Sequence, residues 1–238
     1  MVGCPCAVCS SLDYKDKRLR TSILVEQDGY RIGVDAGPDF RQQMLRERVE
    51  SLDALLVTHE HRDHLAGLDD VRAFNYLQNK AMPIFGLPRV LDHIRREFAY
   101  AFGESKYPGV PKMDLIEVGK EPFQLGTVAI TPIPVMHYKL PVLGFRFGDF
   151  SYVTDSNYLS PEAMQIIAGS KVLVLNALQK EPHISHYTLD EAVEVALQSG
   201  VAQVYFIHMS HKLGKHKEVN PSLPPGISLA WDGLEVNI

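Results

Sequence analysis

The stretch that decides the fold is Thr58-His59-Glu60-His61-Arg62-Asp63-His64, in which four side chains able to bind metal fall within six residues. The four residues before it, 54–57, are apolar and predict a short buried strand, so the polar cluster follows a strand end. Neutral imidazoles and carboxylates are the usual protein ligands of zinc, manganese and iron. The alternative is a solvated polar loop, and the dense spacing favours metal binding over it.

The composition is that of an ordinary globular chain. The 238 residues are 45% hydrophobic and 22% charged, enough for the core of one large domain or two small ones. The net charge of −5 provides no global basic field for nucleic acid, so we do not expect a nucleic-acid partner. No apolar run approaches the roughly 20 residues of a membrane helix, and no signal-peptide pattern is visible. We therefore expect a cytoplasmic protein without a membrane partner.

All three cysteines lie in the pattern Cys4-x-Cys6-x-x-Cys9 near the start of the chain. An odd, closely spaced set without a signal peptide is typical of metal ligands in a reducing compartment, not of disulfides. A tetrahedral structural zinc needs a fourth ligand besides three thiolates. Three unrelated thiols are the alternative interpretation.

Hydrophobic periodicity predicts alternating strands and helices. A hairpin is expected over 22–27 and 30–35, with Asp28-Gly29 as its turn. We expect the loop 104–111 to be the least structured and the most mobile. The pattern predicts two sheets packed face to face with helices outside. Helices are predicted at 38–47, 68–78, 89–102, 161–168 and 188–198, and strands at 54–57, 82–86, 127–135, 142–147, 150–154, 171–176, 203–207, 227–229 and 234–236, the last two as a hairpin.

Several further polar residues share the position of the histidine cluster, because each follows a predicted strand. Polar side chains at successive strand ends are what a site at one edge of a layered fold requires. Asp35 also lies at a strand tip, where it could form the turn or hold a ligand imidazole by its other nitrogen. The residues that follow strands are His59, His61, His137, Asp155 and His208.

Three features together resemble the phosphoribosyl cyclic phosphodiesterase branch of the metallo-β-lactamase superfamily, a relative of tRNase Z. The superfamily motif is the stretch from Thr58 to His64, whereas the cysteine pattern and His208-x-x-His211 together mark the branch. The resemblance covers nearly the whole chain. It implies an α/β (α+β) fold, a four-layer αββα sandwich, with 1–238 as a single hydrolase domain and a zinc segment at 4–9.

The resemblance also implies a site with two divalent metals, zinc or manganese, with iron as an alternative. One metal would be held by His59, His61 and His137. The other would be held by Asp63, His64 and His208. Asp155 would bridge them together with a hydroxide, and Asp35 would support a ligand. His186 and Asp63 are the expected catalytic residues, and Tyr187 stands where tRNase Z has the Ser of its His-Ser-Thr motif.

The chain departs from the resemblance at its start. These families begin with a strand and a Gly-rich turn before the cysteines, whereas here only three residues precede Cys4. We therefore expect either that the native start lies further upstream or that the first sheet lacks its N-terminal strand.

For the fourth ligand of the structural zinc we favour His211 over His216. His208 and His211 are three residues apart at the end of one predicted strand, so the turning chain can direct them to different places. His216 lies in a Lys-rich run that is expected to be solvated.

These features predict a hydrolase that uses a two-metal-activated hydroxide on a small phosphodiester, for which a cyclic sugar or nucleotide phosphate is the leading class. The alternatives are a tRNase Z-like or other nuclease, a thioester or lactone hydrolase, and a metal-binding module without catalysis. A homodimer is one possible assembly. Arg62, Lys139 and Lys212 could contact phosphate, although solvated surface charge is the more ordinary role of such residues.

Overall fold

The computed structural model describes residues 1–103 and 108–238, and its contacts divide the chain into two compact units. The central unit is Arg20–Val128, and the terminal unit combines Met1–Leu19 with Ala129–Ile238. The single domain expected over 1–238 stays a prediction. Of the loop predicted at 104–111, residues 104–107 lie outside the described residues.

The sheet of the central unit begins with the predicted hairpin, which is confirmed. Asp28 and Gly29 have φ of 53° and 82°, the left-handed values that a two-residue type I′ turn requires. The first two strands are antiparallel, and each later strand pairs parallel to the one before it, in sequence order. The strands are β1 Ile23–Gln27, β2 Tyr30–Val34, β3 Ala54–Leu56, β4 Met82–Gly86 and β5 Met113–Glu117, and β6 Phe123–Leu125 follows them.

The helices of the central unit differ from the prediction at three places. The first helix begins at Phe40, two residues after Pro38. The long helix predicted at 89–102 is divided, because Phe98 has a non-helical backbone at φ −109° and ψ 35°. The histidine motif, predicted as a loop, contains one helical turn. The helices are α1 Phe40–Arg46, α2 Arg62–Leu65, α3 Arg72–Gln78, α4 Pro88–Glu97 and α5 Ala99–Phe102, with a 3₁₀ turn at Leu68–Val71.

The terminal unit contains the second sheet. Its strands are β7 Val128–His137, β8 Leu140–Phe147, β9 Phe150–Val153, β10 Tyr158–Leu159, β11 Val172–Asn176, β12 Gln203–Ile207 and β13 Ile227–Leu229. They pair in the order β10-β7-β8-β9-β11-β12-β13. From β10 to β9 the neighbours are antiparallel, whereas β9, β11, β12 and β13 are parallel. The chain therefore brings the ends of β9, β11 and β12 to one edge of the sheet.

The C-terminal hairpin predicted from 227–229 and 234–236 is wrong. β13 pairs parallel with β12, and the Ala230 N–H donates to the Phe206 carbonyl to extend that ladder. After it the chain turns, with the Leu234 N–H donating to the Trp231 carbonyl at 3.0 Å, and residues 234–236 form no strand. The alternation of apolar residues at 234–236 predicts a strand that pairs with 227–229. In the structure, residues 227–229 pair with β12 instead.

Helices and cores complete each unit. Thr188 caps the helix Leu189–Ser199 (α7) through a reciprocal hydrogen-bonded box with Glu191, as a Thr-x-x-Glu sequence favours. Each unit buries its own apolar cluster, one built around β3 and β4 and the other around β11 and β12. Across the described residues, no helix combines the length and the apolar character needed to cross a membrane. The helices of the terminal unit are α6 Pro161–Ala168, α7 Leu189–Ser199 and α8 His216–Val219.

Candidate active site

The histidine motif of the central unit is held against the end of β2 by its backbone. The Ala36 N–H donates to the His64 carbonyl at 2.7 Å, and the Gly67 N–H donates to the Ala36 carbonyl at 2.8 Å. A Cβ at Gly37 would lie 2.1 Å from the Asp63 carbonyl oxygen, so only glycine permits this approach. The backbone just after β2 therefore fixes the position of α2, which carries Asp63 and His64.

Hydrogen bonds fix the tautomer of His59. The Thr58 hydroxyl lies 2.9 Å from Asp35 Oδ2 and donates to that carboxylate, because a carboxylate only accepts. Thr58 Oγ1 also lies 3.0 Å from His59 Nδ1. Because the hydroxyl hydrogen already points to Asp35, His59 Nδ1 must be the donor in this second hydrogen bond. His59 Nε2 keeps its lone pair and lies 3.0 Å from His61 Nδ1. Two nitrogens bound to one cation at about 2.0–2.1 Å would be about 3 Å apart, so this pair fits a common metal.

Asp35 holds His64 in the same way. Its Oδ2 accepts from His64 Nδ1 at 2.7 Å, which leaves His64 Nε2, 3.8 Å from Asp63 Oδ2, as the nitrogen that could bind a metal. Asp35 is fully buried, and this burial raises its pKa, while His64 and the Thr58 donors act in the opposite direction. The contact is the one expected of an acid that orients a ligand imidazole, rather than of a turn former.

In the terminal unit, His137 is the last residue of β7. Its Nδ1 donates to the Ser185 carbonyl at 2.8 Å, so Nε2 is again the nitrogen left for a metal. Asp155 follows β9, and its Oδ1 lies 2.8 Å from His186 Nε2 and 3.2 Å from His208 Nε2. One ligand atom each of His137, Asp155 and His186 lies within 4.8 Å of the others. This unit thus brings four of the predicted site residues together.

Backbone strain coincides with the predicted site residues in both units. Asp35, Asp155 and His208 have φ of 63°, 51° and 54°, in the left-handed region that non-glycine residues rarely adopt. Each comes directly after a strand or within two residues of it. Such strain persists only where the surroundings impose it, and it is found mainly at functional positions.

Two asparagines that sequence reasoning missed position these loops. Asn176, fully buried at the end of β11, accepts from the Ser156 N–H at 2.8 Å and donates to the Ser156 carbonyl at 2.9 Å, so it clamps the residue after Asp155. Asn157 accepts from the Tyr138 N–H at 2.7 Å and donates to the Ile184 carbonyl at 3.2 Å. For Asn176 the available signal was a polar residue that ends an apolar strand.

The segment 183–187 surrounds His186, one of the two predicted catalytic residues. His183, also missed from the sequence, places its Nδ1 3.1 Å from His186 Nδ1. Tyr187 is buried and donates its backbone N–H to the Ser156 carbonyl at 3.0 Å. Burial raises the pKa of Tyr187, so its phenol stays neutral. Its side chain thus serves packing, in the place where tRNase Z has a serine.

The three cysteines lie with His211 in the terminal unit. One ligand atom from each of the four residues lies within 4.8 Å of the others. His211 Nδ1 is 3.5 Å from Cys4 Sγ and 3.4 Å from Cys6 Sγ. Zinc bonds of about 2.3 Å to sulfur and about 2.0–2.1 Å to nitrogen in a tetrahedron place the two atoms about 3.5 Å apart, so the set fits zinc. The Cys9 backbone N–H, followed by His211, lowers the pKa of Cys6 to about 6 and favours the thiolate.

His216 takes no part in that cluster, and the expectation that it is solvated was wrong. It is buried at the start of α8, with its Nε2 3.2 Å from the Leu229 carbonyl. Its ring packs edge-on against Trp231 at a centroid distance of 5.7 Å. The Lys-rich sequence around it had suggested solvent, but a single imidazole of that run is turned into the core.

The three basic residues considered as phosphate contacts have different environments. Arg62 pairs with Glu97 at 2.5 Å, and the Lys139 ammonium lies 5.3 Å from the Tyr138 ring centroid. Lys212 is exposed.

Comparison with known proteins gives the family. The model of the β-lactamase superfamily domain matches residues 30–209. A crystal structure described as a new diphosphatase from the PhnP family is 38% identical, with a TM-score of 0.92, and the match covers 100% of this chain and 91% of that one.

Two curated relatives are longer than this chain. The octanoyltransferase of Porphyromonas gingivalis is 40% identical over 240 residues, which is 100% of this chain and 48% of that protein. Ribonuclease Z of Bradyrhizobium diazoefficiens is 30% identical over 135 residues, or 55% of this chain and 44% of that protein. The matched regions thus span about half of the length of these relatives. The family model, covering most of the chain, and the two-sheet α/β fold confirm the expected fold: the chain belongs to the metallo-β-lactamase superfamily and has relatives of the PhnP diphosphatase and ribonuclease Z kinds.

Proposed function

We propose that the chain is a metal-dependent hydrolase of small phosphodiesters, among which cyclic sugar or nucleotide phosphates are the leading substrate class. In this proposal His59, His61 and His137 hold one divalent cation. Asp63, His64 and His208 hold the second, and Asp155 is shared. The chemistry supplied by bound divalent cations is the activation of water and the neutralisation of phosphoryl charge.

The observation that supports metal binding best is the common state of three imidazoles. His59, His64 and His137 each donate from Nδ1, to Thr58 Oγ1, Asp35 Oδ2 and the Ser185 carbonyl respectively. Each therefore presents an unprotonated Nε2. Metal-binding histidines almost always donate their other ring N–H in this way, because the hydrogen bond fixes the tautomer and the ring orientation.

His186 is the group proposed to protonate the leaving oxygen. Its Nε2 donates to Asp155 Oδ1 at 2.8 Å, so its proton points towards the carboxylate assigned to the metals. Its Nδ1 lies 3.0 Å from Ser185 Oγ and 3.1 Å from His183 Nδ1, which hold the ring from behind. The ring stacks on His208 at 5.0 Å and 15°, which keeps it beside a proposed ligand. Histidine is the side chain that most often transfers a proton in enzyme sites, so the position of His186 beside Asp155 suits protonation of the leaving oxygen.

A second candidate is acyl transfer or thioester hydrolysis, which only the name of the P. gingivalis relative favours. That name belongs to a protein about twice as long, and the match covers 48% of it. The region of that protein outside the match could equally carry the activity that its name describes. The same fold supports many chemistries, so the fold alone does not determine the substrate.

The test is a parallel assay of the metal-loaded protein on bis(p-nitrophenyl) phosphate, a panel of cyclic phosphodiesters, precursor tRNA and an octanoyl thioester. We expect turnover of the phosphodiesters that disappears on chelation and returns with zinc or manganese. Turnover of the thioester alone would overturn the proposal in favour of acyl chemistry. Cleavage of the precursor tRNA alone would favour the nuclease alternative. Full phosphodiester activity after complete metal removal would contradict the metal role.

A further inference from the structure

Arg18 follows the N-terminal cysteine segment, and only 11% of its side chain is exposed. Its guanidinium binds two backbone carbonyls of one turn in the terminal unit. Nη1 donates to the Ser210 carbonyl at 3.0 Å, and Nη2 donates to the Gly214 carbonyl at 2.9 Å. Removing a guanidinium from water is costly unless hydrogen bonds and an opposite charge compensate it. The position of Arg18 therefore indicates a specific attachment and not a solvated surface charge.

The compensating charge is that of Asp16, whose side chain is fully buried. Its Oδ1 lies 3.5 Å from Arg18 Nη2 and accepts from the His216 N–H at 2.8 Å. Burial raises the pKa of Asp16, but the His216 N–H, Ser11 and Arg18 lower it by more, so the carboxylate stays charged. Asp16 and Arg18 together hold the backbone at three points between residues 210 and 216.

The turn held by this pair carries one residue from each candidate metal cluster. His211 lies between the two carbonyls that Arg18 binds, and Ser210 is two residues after His208. His208 has a φ of 54°, a left-handed conformation that persists only where surrounding contacts impose it. Its Nε2 lies 3.2 Å from Asp155 Oδ1. The contacts that fix this turn therefore bear on the direction of a proposed catalytic ligand.

The backbone just after His208 is held from two directions. The Ser210 N–H donates to the Leu178 carbonyl at 2.8 Å, and the Ser210 carbonyl accepts from Arg18. Arg18 ties both ends of the turn, at Ser210 and Gly214, to one planar group. A guanidinium presents its donors in a rigid fork, which the single ammonium of lysine cannot reproduce.

We propose that Arg18 is a positioning residue for His208, because it fixes the turn that follows this histidine and so keeps the imidazole directed at Asp155. The proposal rests on the function proposed above, in which His208 is a ligand of a catalytic cation. In this role the shape of the Arg18 side chain matters as well as its charge.

Cobalt(II) binding tests the proposal without relying on turnover. Cobalt held by thiolates has a sulfur-to-metal charge-transfer band, which cobalt held only by nitrogen and oxygen lacks. This band therefore reports the thiol cluster, formed by Cys4, Cys6, Cys9 and His211. Structural thiolate sites bind metal tightly, so a chelator can be chosen that leaves the band saturated. Competition with this chelator then measures the affinity of the imidazole and carboxylate set, meaning the ligands proposed for the two catalytic cations.

We expect Arg18→Lys to bind cobalt at the imidazole and carboxylate set about tenfold more weakly than the wild type, the lower end for a residue that supports a ligand. Lysine keeps a positive charge beside Asp16, so the unfolding midpoint should change little. Arg18→Met should show the same loss of affinity and, because Asp16 is then buried without its partner, a clear loss of stability as well. The lysine variant thus separates positioning from stability.

Arg146→Lys is the matched control. Arg146 also donates to two carbonyls of the same unit, those of Ile166 and Gly169, at 2.7 Å each. It lies near the end of the β7–β8 ladder that is farthest from His137. Its replacement should leave the cobalt affinity of both clusters unchanged, whatever it does to stability.

The outcomes separate failure of the positioning role from failure of the function. Equal cobalt affinity of wild type and Arg18→Lys at the imidazole and carboxylate set would overturn the positioning role and leave the hydrolase function intact. A loss that Arg146→Lys shares, or one confined to the thiolate band, would overturn it as well. If the wild type hydrolyses no phosphodiester but Arg18→Lys still weakens cobalt binding selectively, the proposed function fails and the positioning role stands.

Discussion

The two candidate metal clusters of this chain differ in what their ligands do besides binding metal. The thiol cluster has four candidate ligands from one unit, with Cys4 and His211 separated by 207 positions in sequence, and one ligand atom from each lies within 4.8 Å of the others. The histidines His59, His64 and His137 instead have their second nitrogen bound by a neighbouring acceptor. A set of four mutually close ligands closes a tetrahedral structural site, whereas nitrogen and oxygen ligands held from behind suit a site that keeps a position open.

This difference predicts that removing a ligand affects mainly catalysis in the imidazole and carboxylate set and mainly stability in the thiol cluster. A change in the imidazole and carboxylate set should remove catalysis and leave the fold, because the apolar cores supply the stability there. A change in the thiol cluster should loosen the chain and reduce catalysis only through that loosening.

The largest effect is expected for His59→Ala or Asp155→Ala. Either change removes a proposed metal ligand, so turnover should fall below detection and the bound metal should decrease, while the unfolding midpoint changes little. Metal analysis, turnover and urea unfolding of the same samples measure all three. His93→Ala is the control, because His93 lies on α4 beside Glu97 and outside the motif. Metal content and turnover equal to wild type in His59→Ala would remove this histidine from the site.

A smaller effect, which depends on the leaving group, is expected for His186→Ala. The protein should keep its metals, and turnover of alkyl phosphodiesters should fall about 10²–10⁴-fold, the range of lost general acid catalysis. A p-nitrophenyl ester should lose much less, because its leaving group needs little protonation. Equal losses on both kinds of ester would show that His186 does not donate the proton.

Next in size is Thr58→Val, which keeps the shape of a fully buried side chain and removes its hydroxyl. His59 Nδ1 then loses its acceptor and Asp35 loses a donor, so the ligand tautomer is no longer fixed. Metal affinity should fall about 10–100-fold, as is usual when such a partner is removed. Competition with a chelator measures it. Thr131→Val, six residues before His137 in β7, is the control; an unchanged affinity in Thr58→Val would mean that the hydrogen bond does not matter for binding.

The sequence predicted the parts of this comparison that depend on local pattern. His137, Asp155 and His208 could be found because each ends or closely follows an apolar strand, and β7, β9 and β12 formed close to where the pattern placed them. The clamp from Asn176 to Ser156 and the contact of His183 with His186 could not, since they join positions 20 and 3 residues apart only after the loops fold. Periodicity reports which face is buried, not which hydrogen bonds a polar side chain makes.

The burial of His216 is another feature that the local sequence pattern could not predict. Its neighbours in sequence are lysines, and the composition of a run says nothing about one member that turns inward. Its burial depends on Trp231 and the Leu229 carbonyl, which follow later in the chain. The C-terminal hairpin failed for a related reason, because the parallel pairing of β13 with β12 leaves no trace in local alternation.

The thiol cluster is tested by His211→Ala. We expect the metal content to fall by one zinc per chain and the unfolding midpoint to decrease, because the N-terminal segment loses its attachment. Turnover should fall by no more than about tenfold, the lower end for residues that act through a ligand. His216→Ala should lower stability without changing the metal count. Loss of the zinc in His216→Ala but not in His211→Ala would reverse the assignment.

The smallest effect concerns pH and His216 itself. Burial lowers the pKa of His216 below its ordinary value of 6.5, with Lys15 and Arg18 adding to that shift and the Leu229 carbonyl and Asp13 opposing it. The unfolded chain therefore binds a proton more readily than the folded chain. Stability from this group is complete above pH 6.5 and decreases as the pH falls through that value towards the lower folded-state pKa.

His216→Gln keeps a donor for the Leu229 carbonyl but cannot titrate. Its free energy of unfolding should therefore decrease less than that of the wild type between pH 7.5 and pH 5. These limits lie about one unit above and somewhat more than one unit below the ordinary histidine pKa. Urea unfolding at a series of pH values, with zinc in excess, measures the difference between the two proteins and cancels the groups that they share. Parallel curves would mean that the buried imidazole takes up its proton as readily in the folded chain as in the unfolded one, and that its inward position costs nothing on acidification.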